Sequence, residues 1–292
     1  MAGPLKKRNV DSEEGDSNSG SGNESDNPDI YNGGEVIEAD FEGRNPDSSD
    51  FHGIKQLMQQ LFLKAHIDLS QLSDMIIAQS NVGSVLKQSL GDVEDSDEDD
   101  DMDDINDVFG VTTVINLTEK KNVDCIQQLR SLLVELAEKH GTDHVTNTIR
   151  NILGNDAKHV GLLINERFIN IPAKIADPLF ESLISEINKA NSKNLKFNFG
   201  YYILICKLYK QDAKKGNKTK PAEVYFSNPE EELFDEETDI KFEFSVKNES
   251  DSGVAGHWLE EDETMTPYRR VLLFPAEKLS TILQKVKTYC AS

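Results

Sequence analysis

Apolar residues recur along this chain with two periods, one near 3.6 and one near 2, and the switches between them mark out its elements. Val36 and Ile37 open an alternation of acidic and apolar residues through Phe41 that predicts a first strand, and Asn45-Pro46-Asp47 predicts a turn. Ile54, Leu57, Met58, Leu61 and Phe62 then follow at helical spacing, with Asp50 as the candidate cap. Leu72, Met75 and Ile76 predict a second helix over 70–78. Residues 82–86 read as a short strand and 108–117 as a longer, β-rich one. Asp124 is placed to cap a helix with Ile126, Leu129, Leu132, Leu133 and Leu136 on one face; Gly141 stops it, and Thr142 starts another that runs to about Leu153. Further strands are predicted at 160–168, 197–209, 224–226, 240–246 and 270–274. Pro172 introduces a helix through Ile187, and residues 277–289 close the chain as an amphipathic helix. Residues 229–239 and 249–263 are acidic and read as surface loops. Strands interspersed with helices predict an α/β fold of mixed α+β character, a central mixed sheet flanked by helices.

Charge changes this picture. Eleven of the sixteen residues from Asp92 to Asp107 are carboxylates, and no base lies among them. The run falls between two predicted strands, so it reads as a long loop joining antiparallel neighbours. Residues 1–50 add 13 carboxylates against four bases, and the two stretches together carry −20 of the formal net charge of −22. The remaining 226 residues hold 29 acids and 27 bases, the balance of an ordinary soluble globule. Residues 1–34, rich in Ser, Gly, Asn, Asp and Glu, cannot offset their ordering entropy and are expected to be a disordered tail. The expected organisation is that tail followed by one domain, 35–292, with an acidic loop at 92–107.

Such segments repel phosphates, which disfavours direct nucleic acid binding. They attract cationic proteins, of which ribosomal proteins and histones are the obvious cases. Asp92, Glu94, Asp95, Asp97, Glu98, Asp99, Asp100, Asp101, Asp103, Asp104 and Asp107 are therefore the candidate contacts for a basic partner. The competing reading is that they only confer solubility. Ser96, followed by three acids, and Ser21, with Glu24 three residues on, suit acid-directed kinases, and phosphate there would add charge to the same surface. Lys6, Lys7 and Arg8 form a candidate nuclear-import cluster, and Lys214, Lys215, Lys218 and Lys220 a second basic tract.

Little else points to chemistry. Cys125, Cys206 and Cys290 are far apart and match neither a disulfide framework nor zinc spacing; Cys206, in an apolar run, is expected to be buried. His140 and His144 flank Gly141 without an H-E-x-x-H motif, and the acidic run lacks the glycine and the later glutamate of an EF-hand loop. Phosphate-binding glycine loops and a nucleophile elbow are missing from the sequence. The start shows no apolar core of a signal peptide, and no apolar run is long enough to span a bilayer. Trp258, the one tryptophan, stands in acidic surroundings as either a structural anchor or a partner contact.

Two segments carry a resemblance. HVGLLINERFINIPAKIADPLFESL, from His159 to Leu183, and FNFGYYILICKLYK, from Phe197 to Lys210, resemble the BCCIP family, named for interaction with the breast-cancer susceptibility protein and a cyclin-dependent kinase inhibitor. The specific core is Leu163 to Phe168 followed by Asn170 and Pro172, and the resemblance spans roughly 35–292. It implies a fold similar to the GCN5-related N-acetyltransferases without their catalytic equipment. The [Q/R]-x-x-G-x-[G/A] turn for an acyl-CoA pyrophosphate is not found here; Arg150 to Gly154 has the wrong spacing. The expectation is a binding protein rather than an enzyme, without cofactor or metal. The resemblance further implies a nuclear protein with cytoplasmic shuttling, a chaperone for a basic ribosomal protein of the large subunit. It also implies links to the nuclear transport machinery and a lipid kinase. The alternative it offers is a scaffold for a recombination mediator and a cyclin-dependent kinase inhibitor. Glu166 and Arg167, at the polar end of the motif strand, are expected either to pair with each other beneath the turn into Pro172 or to face a partner.

Overall fold

Segments that alternate about a two-residue period assemble into one eight-stranded sheet, and the helical segments cover both of its faces. The computed structural model describes residues 40–79, 81–89, 107–211, 223–249 and 265–291. In chain order the elements are β1 (Phe41–Arg44), α1 (Phe51–Phe62), α2 (Leu69–Ala78), β2 (Ser84–Gln88), β3 (Gly110–Asn116), α3 (Asp124–His140), α4 (Asp143–Gly154) and β4 (His159–Arg167). They continue with α5 (Ala176–Ser192), β5 (Phe199–Gln211), β6 (Val224–Phe226), α6 (Glu231–Glu236), β7 (Ile240–Ser245), β8 (Met265–Pro275) and α7 (Leu279–Cys290).

The strand order is β1-β2-β3-β4-β5-β8-β7, with β6 also paired to β5. Every pairing is antiparallel except β4 with β5, which is parallel. Because side chains alternate along each strand, β4 divides its residues between two cores. Val160, Leu162 and Ile164 pack with α1, α2, α3 and α4, while Leu163 packs with α5, α6 and α7. The central strands are buried on both faces, which is why their sequences read as nearly continuous apolar runs.

Several local expectations are corrected. Asp50 does not cap α1; Asp47 and Asp50 form a reciprocal capping box on the short 3-10 helix before it, and Asp50 is buried against Lys87 at 2.6 Å. Asp124 lies in the first turn of α3 rather than at its cap, where its charge still meets the positive helix end. The strand expected at 36–41 is β1, and the portion before residue 40 lies outside the described residues. The strand expected at 270–274 is part of β8, which starts at Met265. The largest change concerns the acidic segment 229–239. It contains α6, and Glu230 and Glu231 are fully buried. Leu233 and Phe234 draw the segment onto the sheet, with Phe234 against Phe180 and Phe274.

Candidate functional site

Strand β4 ends in three polar residues, Asn165, Glu166 and Arg167, and all three are buried. Alternation sends them to opposite faces, so Glu166 and Arg167 cannot pair with each other as expected; each takes a partner from elsewhere. On the α1 face Glu166 pairs with Lys207 of β5. Arg269 of β8 lies on the same face and closes the C-terminus of α1, its Nε donating to Leu61 O at 2.9 Å and its Nη2 to Gln60 O at 2.6 Å. Burial pushes the Glu166 carboxyl up, against the pull of Lys207, and burial pulls the Arg269 guanidinium down.

On the α6 face Arg167 grips both carboxylate oxygens of Glu230, with Nη2 to Oε2 at 2.6 Å. Asn165 Nδ2 donates to Glu230 Oε1 at 2.9 Å and to Glu231 Oε1 at 3.1 Å. Asn228 Nδ2 donates to Glu231 Oε1 at 2.9 Å and to the Asn165 carbonyl at 2.7 Å. Burial lowers the Arg167 guanidinium, and the hydrogen bonds and charge of Glu230 more than reverse it. Burial, with the neighbouring Glu230 and Glu166, pushes Glu231 up to about 8, so its carboxyl is largely protonated at neutral pH. Burial likewise raises the adjacent Cys206 thiol far above its ordinary value, which leaves it unreactive; Cys206 is buried as expected.

This polar layer fills a gap in the sheet. The parallel ladder between β4 and β5 ends at Leu163 opposite Leu204. Beyond that point β5 pairs with β6, and residues 227–231 enter between the parted strands. Ser227 N donates to Lys207 O at 2.8 Å on one side, and Asn228 reaches Asn165 O on the other. Backbone groups that the parting would have orphaned are thereby satisfied. Gly110 permits the close approach on the neighbouring strand, since a Cβ there would lie 3.0 Å from Arg167 Cβ and 3.1 Å from Glu166 O.

Above the α1 face at this end of the sheet lies a cleft of about 520 Å³. Lys207 and Arg269 of this face line it, each already tied to a partner, together with Arg167, whose side chain is committed to Glu230 on the other face, and Gln56, Gln59 and exposed Lys64 of the α1 region form one wall. Apolar surface comes from Leu63, Phe168, Ile169, Met265 and Pro267. Ile169 is 75% exposed.

The registers show what else attaches here. Gln88, Gly110, Arg167, Gln211, Val224, Ser245 and Met265 all stand at one end of the sheet. Three insertions leave and return at that end. Residues 90–106 hold ten carboxylates and no base, residues 250–264 hold five carboxylates and neither Lys nor Arg, and residues 212–222 hold four lysines and one aspartate. As expected, the acidic run joins antiparallel neighbours, β2 and β3. Asp107 is exposed and lies two residues before Phe109, whose carbonyl accepts from Phe168 N at 3.0 Å beside the cleft.

Asp92, Glu94, Asp95, Asp97, Glu98, Asp99, Asp100, Asp101, Asp103 and Asp104 lie outside the described residues, as do Ser21, Ser96, Trp258, Lys6, Lys7, Arg8 and the 214–220 lysines. Sequence reasoning missed Lys207, Asn228, Glu230, Glu231 and Arg269. The pair Leu233-Phe234 inside an acidic segment was the available signal that this stretch folds onto a core. No helix among the described residues is long and apolar enough to cross a membrane.

The family model described as BCCIP matches residues 36–234. A Drosophila melanogaster protein named Protein BCCIP homolog is 43% identical over 263 residues, covering 90% of this chain and 88% of its own length. The Homo sapiens BRCA2 and CDKN1A-interacting protein is 36% identical over 262 residues, covering 87% of this chain and 82% of its own. Among solved structures, crystalline BCP1 from Saccharomyces cerevisiae aligns over 90% of this chain and 96% of its own with a TM-score of 0.56 and 18% identity, a likeness of fold.

Proposed function

The chain belongs to the BCCIP family, and from that premise we propose a non-catalytic nuclear binding protein that chaperones a basic ribosomal protein of the large subunit and supports its export and assembly. The observation that carries the reading is the rooting of two carboxylate-rich insertions, beside the lysine-bearing one at 212–222, at the end of the sheet where the cleft also opens. The two roots lie about three strand spacings apart, roughly 14 Å, so a broad cationic surface lying across that end of the sheet meets both insertions, each acting over the roughly 8–10 Å that physiological salt allows. They speed encounter and mask the client's RNA-binding charge, while the folded body supplies specificity. A non-catalytic role is supported by the fate of the buried charged groups. Glu166, Arg167 and Glu230 are consumed in ion pairs that hold the strands, and Glu231 is enclosed. Lys6, Lys7 and Arg8 supply the nuclear address in this reading.

The test replaces 92–107 by a neutral Gly/Ser/Asn segment of equal length and measures affinity for a large-subunit ribosomal protein across a salt series. Expected are a loss of tenfold or more at low salt and a flatter salt dependence. Unchanged affinity and slope would overturn the proposal. The printed name of the human relative favours a second reading, a scaffold for a recombination mediator and a cyclin-dependent kinase inhibitor. In that case the neutral segment leaves binding of those partners intact, and an apolar surface substitution removes it.

A further inference from the structure

We propose that the cleft beside α1 seats a carboxylate flanked by apolar side chains, carried on an extended segment of a partner protein. This goes beyond the reading above, since it gives the folded body a partner opposite in charge to the one its insertions attract. Charge on this face is out of balance. Lys64, Lys207 and Arg269 stand against Glu166 and Glu249. Glu166 takes Lys207, and Glu249 is exposed at the rim. Arg269 is only 6% exposed, yet no carboxylate among the described residues forms an ion pair or hydrogen bond with it. Three of its five N–H groups donate, all to backbone carbonyls: those of Leu61, Gln60 and, at 3.1 Å, Tyr268. The other two find no acceptor among the described residues, and the side chain lines the cleft. The end of α1 supplies at most about half an elementary charge. A buried guanidinium short of a full counter-charge is costly, and a ligand carboxylate accepting from its open N–H groups would complete it.

The surroundings of that floor select a protein segment. Ile169, 75% exposed, and Met265, 37% exposed, stand at the rim, and Phe168 and Pro267 continue the apolar lining. Apolar side chains around a buried arginine are the make-up of protein–protein contacts. Ile169 is presented on a tight turn, with Phe168 N donating to Phe109 O and Ile171 N to Phe168 O, each at 3.0 Å. On the opposite wall Leu63 ends α1 with φ 53° and ψ −118°, a conformation a bulky side chain rarely adopts. Strain of this kind persists where the surroundings enforce it and clusters at binding sites. Gln56 and Gln59 add uncharged donors and acceptors suited to a peptide backbone. The carboxylate-rich insertions oppose an acidic ligand, but they act through solvent, where salt screens them; a contact on the buried floor is screened far less. Binding here is therefore expected to hold or strengthen as salt rises, the reverse of binding to a basic client.

The test titrates the full chain by fluorescence anisotropy with the synthetic peptide GSLFDLIGS and its counterparts carrying Asn or Lys in place of the central Asp. Wild-type protein is expected to bind the Asp peptide about tenfold more tightly than the Asn peptide, the factor of one charge-assisted contact, and the Lys peptide more weakly still. Arg269→Gln is expected to erase the Asp preference, and Lys64→Gln to reduce it roughly twofold. Ile169→Ser should weaken the Asp and Asn peptides alike and leave their ratio intact. Thermal unfolding checks each variant; if Arg269→Gln does not fold, the exposed positions Lys64 and Ile169 and the salt series decide the matter. Equal binding of the Asp and Asn peptides by wild type, a preference for Lys, or an Asp preference that survives in folded Arg269→Gln would overturn the assignment. So would binding of decanoate without binding of any peptide, which would give the cleft to a small amphipathic acid. None of these outcomes bears on the affinity of the 92–107 replacement for a basic client, so the two readings fail separately.

Discussion

Glu166 and Arg167 are neighbours in the chain, yet the polar layers they anchor on the two faces of the sheet are balanced in different ways. On the α1 face one buried acid meets two cations, Lys207 and Arg269. The surplus positive charge is answered by the carbonyl end of α1, whose partial negative charge Arg269 contacts directly. On the α6 face one cation, Arg167, meets two acids at the N-terminus of α6, a helix of only six residues whose dipole offsets little of the second charge. There the balance is reached by protonation: Glu230 takes the ion pair, and Glu231, pushed up to about 8, stays largely neutral. The difference teaches that a buried charge excess can be relieved either by backbone dipoles or by a proton. Only the second route makes stability depend on pH through the surplus group itself.

Breaking the Arg167–Glu230 pair is expected to have the largest effect. Arg167→Met leaves Glu230 buried without its countercharge and should cost about 3–5 kcal/mol in urea unfolding. The double variant Arg167→Met/Glu230→Leu should recover a substantial part of that loss; a double variant as unstable as the single would show that packing of the arginine stem, not charge, holds this layer. Next comes Lys207→Met, expected to cost roughly 2–3 kcal/mol at pH 8 and less at pH 5. Without the lysine, the Glu166 carboxyl rises further above its ordinary value. The native state then keeps a proton that the unfolded chain releases above about pH 4.5, and stability falls as pH rises. A loss equal at both pH values would contradict this picture.

Glu231→Gln is expected to be the least destabilising change and to sharpen the contrast most. Its carboxyl is protonated in the folded state up to about pH 8 and ionised in the unfolded state above about 4.5. Its contribution is therefore fully present below pH 4.5 and is lost as pH rises through 8. Glutamine keeps the oxygen that accepts from Asn165 and Asn228 and cannot ionise. The variant should match wild type near pH 4.5 and exceed it progressively as pH rises, by several kcal/mol at pH 8. Parallel stability curves for the two proteins across that range would remove the proton from the account of this face.

Element order and type were legible in the sequence because burial imposes the period on the residues themselves. The helix at 51–62 and the central strands at 110–116 and 159–167 follow directly from apolar spacing. The separation of acidic segments from a near-neutral body was equally readable, since charge is counted rather than folded. What the linear chain does not contain is which residues meet. Glu230 and Glu231 look like any surface acids, and only the parting of β4 from β5 creates the buried gap that takes them in. Strand pairing also decided that the insertions at 90–106, 212–222 and 250–264, far apart in sequence, share one end of the sheet with Ile169 and the cleft. Local pattern reports the environment of each residue, whereas the company it keeps depends on long-range pairing, which tertiary structure alone determines.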